Sequence, residues 1–406
     1  MQFRALNGFR DFYPPEMAVR RWIESAWHAA SRTAGLQEWD GPLLESLDLF
    51  TEKSGDEIAA QLYCFDDKGG RAVALRGEMT PSLARMVAAR AGGLPKPIKW
   101  YCVPQFFRYE RPQRGRGREF FAWNVDVIGS GEPAADAEVI AIALDALRRL
   151  GLNSDDLCVR LSDRRLLRRL LQGIGVTEVE EPDALACIDK LARDRKAAER
   201  LEGLLGASRA AQITTWCEQF PRNEASELAP VLEACDELGV GDAIELDFKI
   251  VRGLAYYTGP VWEIFDRGAE LRAVAGGGRY DRLIETMGGP DLPALGFGMG
   301  DMVLSELLQQ KGLEPPPAPR VDAFVISVGP DMQGPARKVL ARLREQGVPA
   351  DGPYTTVKLA KALRLADQAG ASRAILVGSD EWAEGEVLEK DLVTGKEQRK
   401  RFDDLS

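Results

Sequence analysis

KWYCVPQFFRYERPQRGRGREFFAWNVDVIG, residues 99–129, sets two aromatic-rich apolar runs on either side of a Pro, Gly and Arg segment. The period-two pattern predicts a strand on each side. Phe106, Arg108 and Glu110 point one way on the first strand, and Phe120, Ala122, Asn124 and Asp126 share one face of the second. The PQRGRG between them predicts a mobile hairpin loop. Arg108, Arg111, Arg114, Arg116 and Arg118 cluster here, and their guanidinium groups suit closure over phosphates. A plain basic hairpin in solvent is the other reading; it leaves unexplained why Arg108 and Glu110 alternate with aromatics.

Working outward, LYCFDD and RAVAL add further strand-like runs, so the region reads as an antiparallel sheet. Upstream, PPEMAVRRWIESAWHAASRTAG (14–35) predicts a helix opened by Pro14 and Pro15, followed by the extended LQEWDGPLLESLDLF. From about 133 to 240 the chain turns to Ala/Leu/Arg/Glu runs with helical spacing, and strand chemistry returns in AIELDFKIVRGLAYYTGPVWEIF. The helical block therefore reads as an insertion within one β-rich domain. KGLEPPPAPR (311–320) is the clearest linker. Beyond it, VDAFVISVG, PARKVLARLREQG, KLAKALRLADQAG and RAILVGSDE alternate strand and helix, which predicts a small α/β domain with a largely parallel sheet.

The 406 residues exceed one core, and 45% hydrophobic with 29% charged content excludes a disordered or fibrous chain. A net charge of −10 argues against a surface that clamps nucleic acid everywhere, and DNA is not an expected partner. From Arg320 to Ser406, however, 14 Lys+Arg balance 14 Asp+Glu, with cations gathered at 337–344 and 358–364. Those helices suit RNA backbone contact or are simply solvated faces. The single His28 leaves no histidine dyad and no His-rich zinc site. Six dispersed cysteines without a CxxC pair predict reduced thiols. The first residues lack an apolar signal region and no run approaches a membrane span, so the expected address is the cytoplasm, with no membrane partner.

GGGRYD at 276–281 is not GxGxxG, and GxxxxGK[ST] is absent, so neither a dinucleotide fold nor a P-loop is supported. In VRGLAYYTGPVWE (251–263), Arg252 stands among apolar residues and tyrosines and must meet an anion. On that stretch alone an internal carboxylate is the favoured partner over a ligand.

GFRDFYPPEM, LRGEMTPSLARM (75–86), FFRYERPQRGRGREFF, VRGLAYYTG, AGGGRYD and LGFGMGD (295–301) together resemble histidyl-tRNA synthetases, which are class II aminoacyl-tRNA synthetases. The resemblance runs in order over essentially the whole chain. It implies an α+β fold: a class II six-stranded antiparallel sheet with flanking helices over 1–310, a mostly helical insertion at about 165–240, a linker at 311–320, and an anticodon-binding α/β domain over 321–406. It implies ATP, L-histidine and histidine tRNA as substrates, Mg2+ with ATP, no organic cofactor, no dedicated protein metal cage, and a homodimer. The dimer contact would lie near 35–60 around Pro42.

By the same resemblance Arg108 and Arg252 are the catalytic cations at the α-phosphate and substrate carboxylate. Glu110 faces the adenine end and Arg116 reaches the terminal phosphates. Glu78 and Thr80 hold the substrate ammonium, with Met79 between them in the histidine site; Asp126 and Tyr257 read the imidazole, and Tyr256 lies beside them. The glycines of the AGGGRYD turn would supply room for the ligand rather than chemistry. Three positions depart from the pattern. Asp301-Met302 stands where many members have Glu-Arg, removing an arginine that clamps the γ-phosphate. Phe121-Ala122 stands for His-Gln, so Ala122 lines the histidine site without an amide. Ala255 stands for an Asp. The other reading is a non-catalytic paralogue of this enzyme, a regulatory or amino-acid-sensing subunit, from which the presence of 320–406 distinguishes the chain.

Overall fold

Prolines at the first two positions of α1 (Pro14–Thr33) cost no hydrogen bond, because helix-start N–H groups have no partner there, and its apolar face buries Ile23, Trp27 and Ala30. This computed structural model describes residues 3–54, 61–191, 194, 196–251, 256–268, 271–316 and 321–405. The chain divides into two compact units, Met1–Pro315 and Pro316–Ser406.

The first unit continues with β1 (Gln37–Glu38), β2 (Leu44–Ser46), α2 (Leu47–Ser54), β3 (Tyr63–Asp66), β4 (Ala72–Leu75), α3 (Thr80–Arg90), β5 (Ile98–Cys102), β6 (Gln105–Phe107), β7 (Glu119–Ile128), α4 (Pro133–Arg149) and β8 (Leu157–Asp163). Next come α5 (Arg164–Gly173), α6 (Glu181–Lys190), α7 (Lys196–Leu205), α8 (Ala207–Glu218) and α9 (Ala229–Glu237). The main domain resumes with β9 (Ile244–Leu246), β10 (Pro260–Asp266), β11 (Ala275–Arg279), α10 (Leu283–Thr286), β12 (Ala294–Gly300) and α11 (Asp301–Gln310).

The main sheet runs β1-β5-β7-β12-β11-β10-β8-β9. Its six inner strands, β5 to β8, pair antiparallel throughout, as expected; β1 and β9 are short parallel additions at the edges, and β6 pairs with β7. Alternation along β7 sends Trp123, Val125 and Val127 into a core with Trp27 of α1 and Ile140 and Leu147 of α4. Trp123 donates to Ser31 Oγ at 3.0 Å and Trp27 to Met299 Sδ at 3.2 Å, so both buried indoles are satisfied. One face of the sheet is thus sealed by helices and the other is left to the site.

The AGGGRYD segment is corrected here: Ala275–Arg279 is a central strand, not a turn. Glycine is a poor strand former, so local propensity points away from this assignment. The strand is held by pairing on both sides and, at its end, by Arg279, whose Nη2 lies 2.5 Å from Asp136 of α4, both side chains being buried. Breaking one member of such a pair costs about 3–5 kcal/mol.

In the second unit, β13 (Ala323–Ser327), α12 (Gln333–Glu345), β14 (Ala350–Asp351), α13 (Leu359–Gln368), β15 (Arg373–Val377), α14 (Ser379–Ala383), β16 (Glu386–Asp391) and β17 (Glu397–Arg401) form a sheet of order β14-β13-β15-β16-β17. The expectation of a largely parallel sheet fails at its end. β16 and β17 are antiparallel, because Asp391 Oδ1 accepts the N–H groups of Val393 (2.9 Å) and Thr394 (2.7 Å) and folds the chain back. All six cysteines are free, and no helix among the described residues is long and apolar enough to cross a membrane.

Candidate active site

A cavity of about 1060 Å³ lies on the open face of the main sheet. Cross-strand register builds its floor. Asn124, Gly298, Gly276, Glu263 and Arg160 form one row across five strands, all facing the cavity. Asp126 pairs with Gly296 in the next row and Ala122 with Gly300 in the row before. The middle strands contribute glycine at each of these positions, so a ligand can lie directly on backbone between the side chains of β7 and those of β10 and β8.

Phe106, Arg108 and Glu110 all face this cavity, as do Phe120, Ala122, Asn124 and Asp126. Arg108 donates from Nε to the Gly77 carbonyl at 2.8 Å and lies 5.5 Å from the Phe120 ring centroid. The hairpin is tight. Gln113 and Arg116 exchange backbone hydrogen bonds of 3.0 and 2.9 Å, with Gly115 at φ +69° in the turn. Arg114 pairs with Glu306 of α11, and Arg116 pairs with Glu110. Behind the hairpin, the Gly8 carbonyl accepts the Arg118 N–H at 2.8 Å.

Asp301, read from the sequence only as a departure, has a structural task. Buried at the start of α11, it accepts the Phe121 N–H at 3.0 Å and Arg10 Nη2 at 2.8 Å, tying the N-terminal segment to β7. Burial pushes its carboxyl up, and Arg10 opposes that shift. Met302 and Val303 follow it and line the cavity.

Asp126 is buried, and desolvation pushes its carboxyl up to about 7, opposed by a hydrogen bond from the Tyr280 hydroxyl. Tyr256 packs 5.0 Å from Tyr257 and edge-on 5.8 Å from Tyr280, so three tyrosines surround this carboxylate region. Tyr280 was not read as a site residue. Its only sequence signal is its place directly after Arg279 in the RYD segment that leaves β11.

Of the other expected residues, Glu78, Thr80, Tyr256 and Tyr257 line the cavity. Met79 does not. It is buried beneath the wall with Cys102, Phe106 and Ala122, so that side of the pocket is backed by apolar packing. Arg252 and Ala255 lie outside the described residues.

An antiparallel sheet of this order, with an arginine strand and hairpin folded over a glycine floor, is the adenylate-forming architecture of class II aminoacyl-tRNA synthetases. The family model described as "Histidyl-tRNA synthetase" matches residues 8–302 and the "Anticodon binding domain" model matches 322–406. The chain belongs to the histidyl-tRNA synthetase family. It is 39% identical to a histidine–tRNA ligase of Opitutus terrae, covering 97% of this chain and 95% of that one. It is 37% identical to a chloroplastic/mitochondrial histidine–tRNA ligase of Arabidopsis thaliana, covering 98% and 85%. A crystal structure of histidyl-tRNA synthetase from Nostoc shares the fold, with a TM-score of 0.83 at 24% identity over 99% of this chain and 98% of that one.

The floor makes its own prediction. A Cβ on Gly296 would collide with the Val125 carbonyl and the Asp126 carboxylate, one of them rigid backbone. Gly296→Ala is expected to cost about 1–3 kcal/mol in a denaturation experiment and to weaken histidine binding by displacing Asp126.

Proposed function

We propose that this chain is a histidine–tRNA ligase: it activates L-histidine with ATP and transfers the histidyl group to the terminal ribose of histidine tRNA. The observation that carries this reading is the glycine floor with Arg108 at one side and the Asp126–Tyr280 pair at the other. It seats an anion and a hydrogen-bonding ring within one cavity.

The histidine carboxylate attacks the α-phosphorus of ATP, an O–P bond forms, and pyrophosphate leaves. That carboxylate is already ionised, so no general base is required. Arg108, pinned through Nε and stacked near Phe120, meets the charge that builds on the α-phosphate, a role that Arg252 shares in this reading. Asp126 accepts from the imidazole, Tyr257 shares a second ring contact, and Glu78 and Thr80 face the ammonium. A pocket that pairs both ring nitrogens leaves buried groups unsatisfied with any other amino acid. Glu110 and Arg116, paired with each other across the hairpin, would part to meet adenine and the terminal phosphates.

Among the described residues no three His, Cys, Asp or Glu side chains converge as a metal cage. Mg2+ would arrive on the ATP phosphates, with Glu263 on the cavity floor to face its water shell. When bound, it neutralises phosphate charge. In the second step the tRNA ribose hydroxyl attacks the histidyl carbonyl and AMP leaves.

We assign catalysis to 1–310 with its helical insertion, and anticodon recognition to 321–406, where α12 and α13 carry the clustered cations. A homodimer through the region around Pro42 is supported by Leu43, Leu44 and Phe65, which expose 44%, 40% and 50% of their surface. A tRNA substrate places the reaction where translation occurs, the cytoplasm in a cell without organelles. The deciding assay is ATP–pyrophosphate exchange with each amino acid in turn. Histidine alone should sustain it, and exchange that histidine does not stimulate would overturn the reading.

A further inference from the structure

Among the described residues five cations line the cavity: Arg108, Arg116, Arg160, Lys249 and Arg272. Three of them have carboxylate partners. Arg116 pairs with Glu110, Arg160 lies 3.6 Å from Asp247, and Lys249 lies 3.9 Å from the same aspartate. Among the described residues Arg108 bonds only a carbonyl through its side chain, and Arg272 makes no hydrogen bond or ion pair. An arginine left without an anion on the wall of a cavity is available to an anionic ligand. Arg108 already has that role at the α-phosphate; Arg272 has none.

Its place in the fold says which part of the ligand it meets. Ala275, the first residue of β11, pairs with Met299 near the end of β12, so the segment before β11 and the first turn of α11 lie at the same end of the sheet. Met302 and Val303, in the first turn of α11, line the cavity there, and that turn (Asp301, Met302, Val303, Leu304) contains no cation. Residues 271–276 all border the cavity, so Arg272 reaches it from the segment that leads into the glycine strand. The hairpin brings Arg116 to this end as well, since Gly115 and Gly117 lie against Val303 and Met302, but Arg116 is engaged by Glu110.

We infer that Arg272 binds the β- and γ-phosphates of ATP, supplying from the segment before β11 the cation that the first turn of α11 lacks. This rests on the adenylate-forming reading above. It is a binding residue for the pyrophosphate half of ATP and takes no part in proton transfer.

The test is calorimetric titration of wild-type protein and Arg272→Ala with ATP and with AMP, which lacks the phosphates in question. ATP affinity should fall about tenfold or more while AMP affinity stays within about twofold, since one charge-assisted contact is lost. In the exchange assay, KM for ATP should rise by a similar factor with KM for histidine unchanged. Arg272→Lys should retain part of the affinity, and adding Met302→Arg to Arg272→Ala should restore ATP binding to within about threefold, a rescue that a merely structural role would not show. Unchanged ATP affinity, equal loss of ATP and AMP, or a defect confined to the KM for tRNA would overturn the assignment. Wild-type protein that fails to exchange with histidine yet shows the ATP-specific loss in Arg272→Ala would overturn the proposed function and leave Arg272 standing.

Discussion

Arg108→Ala is expected to lower histidine-dependent ATP–pyrophosphate exchange by about 10³-fold while leaving the thermal midpoint almost unchanged. The side chain is fixed before any ligand arrives. Its backbone N–H bonds the Arg118 carbonyl at 2.9 Å, its Nε bonds Gly77 O at 2.8 Å, and its guanidinium carbon lies 5.5 Å from the Phe120 centroid. The two terminal nitrogens, bonded to no carboxylate among the described residues, remain for a phosphate oxygen and a carboxylate oxygen. Charge on the α-phosphate grows as the new O–P bond forms, so the contact strengthens toward the transition state, and kcat should fall further than KM rises. Arg108→Lys should recover little, because an ammonium cannot hold the Gly77 carbonyl and two ligand oxygens in one plane. A loss below about tenfold in Arg108→Ala would remove it from the reaction.

That Arg108 faces the cavity was legible from sequence because residue alternation is a local property. The even-numbered residues of β7 needed only alternation to be placed on one face, and Arg108 and Glu110 keep the side of Phe106 although β6 ends at Phe107. The glycine strand was not legible. Gly276, Gly277 and Gly278 contradict strand propensity, and only pairing with β10 and β12 on both sides makes them a floor. The same applies to Asp301 with Arg10, to Tyr280 with Asp126 and to Arg272 at the end of the sheet where α11 begins. Each is a relation between distant segments that no local period encodes. Motif resemblance located Asp126, but its partner became visible only when β11 delivered Tyr280 to it.

Asp126→Asn separates what this residue does for the substrate from what it costs the fold. Burial holds the carboxyl at about 7, well above the ordinary carboxylate range, with the Tyr280 hydroxyl pulling the other way. A folded-state value raised above the unfolded one means that the stabilisation is present in acid and lost as pH rises through about 7. Above that pH the protein carries a buried anion at a cost of about 4 kcal/mol relative to a neutral group. Asparagine keeps the shape and still accepts from Tyr280, so Asp126→Asn should melt several degrees higher at pH 8, and the gap should close progressively as pH falls from about 7 toward the ordinary carboxylate value. Activity should move the other way. Only the ionised carboxylate accepts the imidazole N–H cleanly, so wild-type kcat/KM for histidine should exceed the variant's by about 10²–10³ at pH 8. In that ratio the substrate's own imidazole titration cancels, and what remains follows the ionised fraction of Asp126, which falls to roughly a tenth at pH 6. The ratio should therefore shrink about tenfold between pH 8 and pH 6. A ratio flat in pH would show that the anion is not the acceptor. A variant that gains specificity loss without stability would show that the carboxylate is solvated in the working enzyme. The two readouts together ask whether a destabilising buried charge is kept because the imidazole requires it.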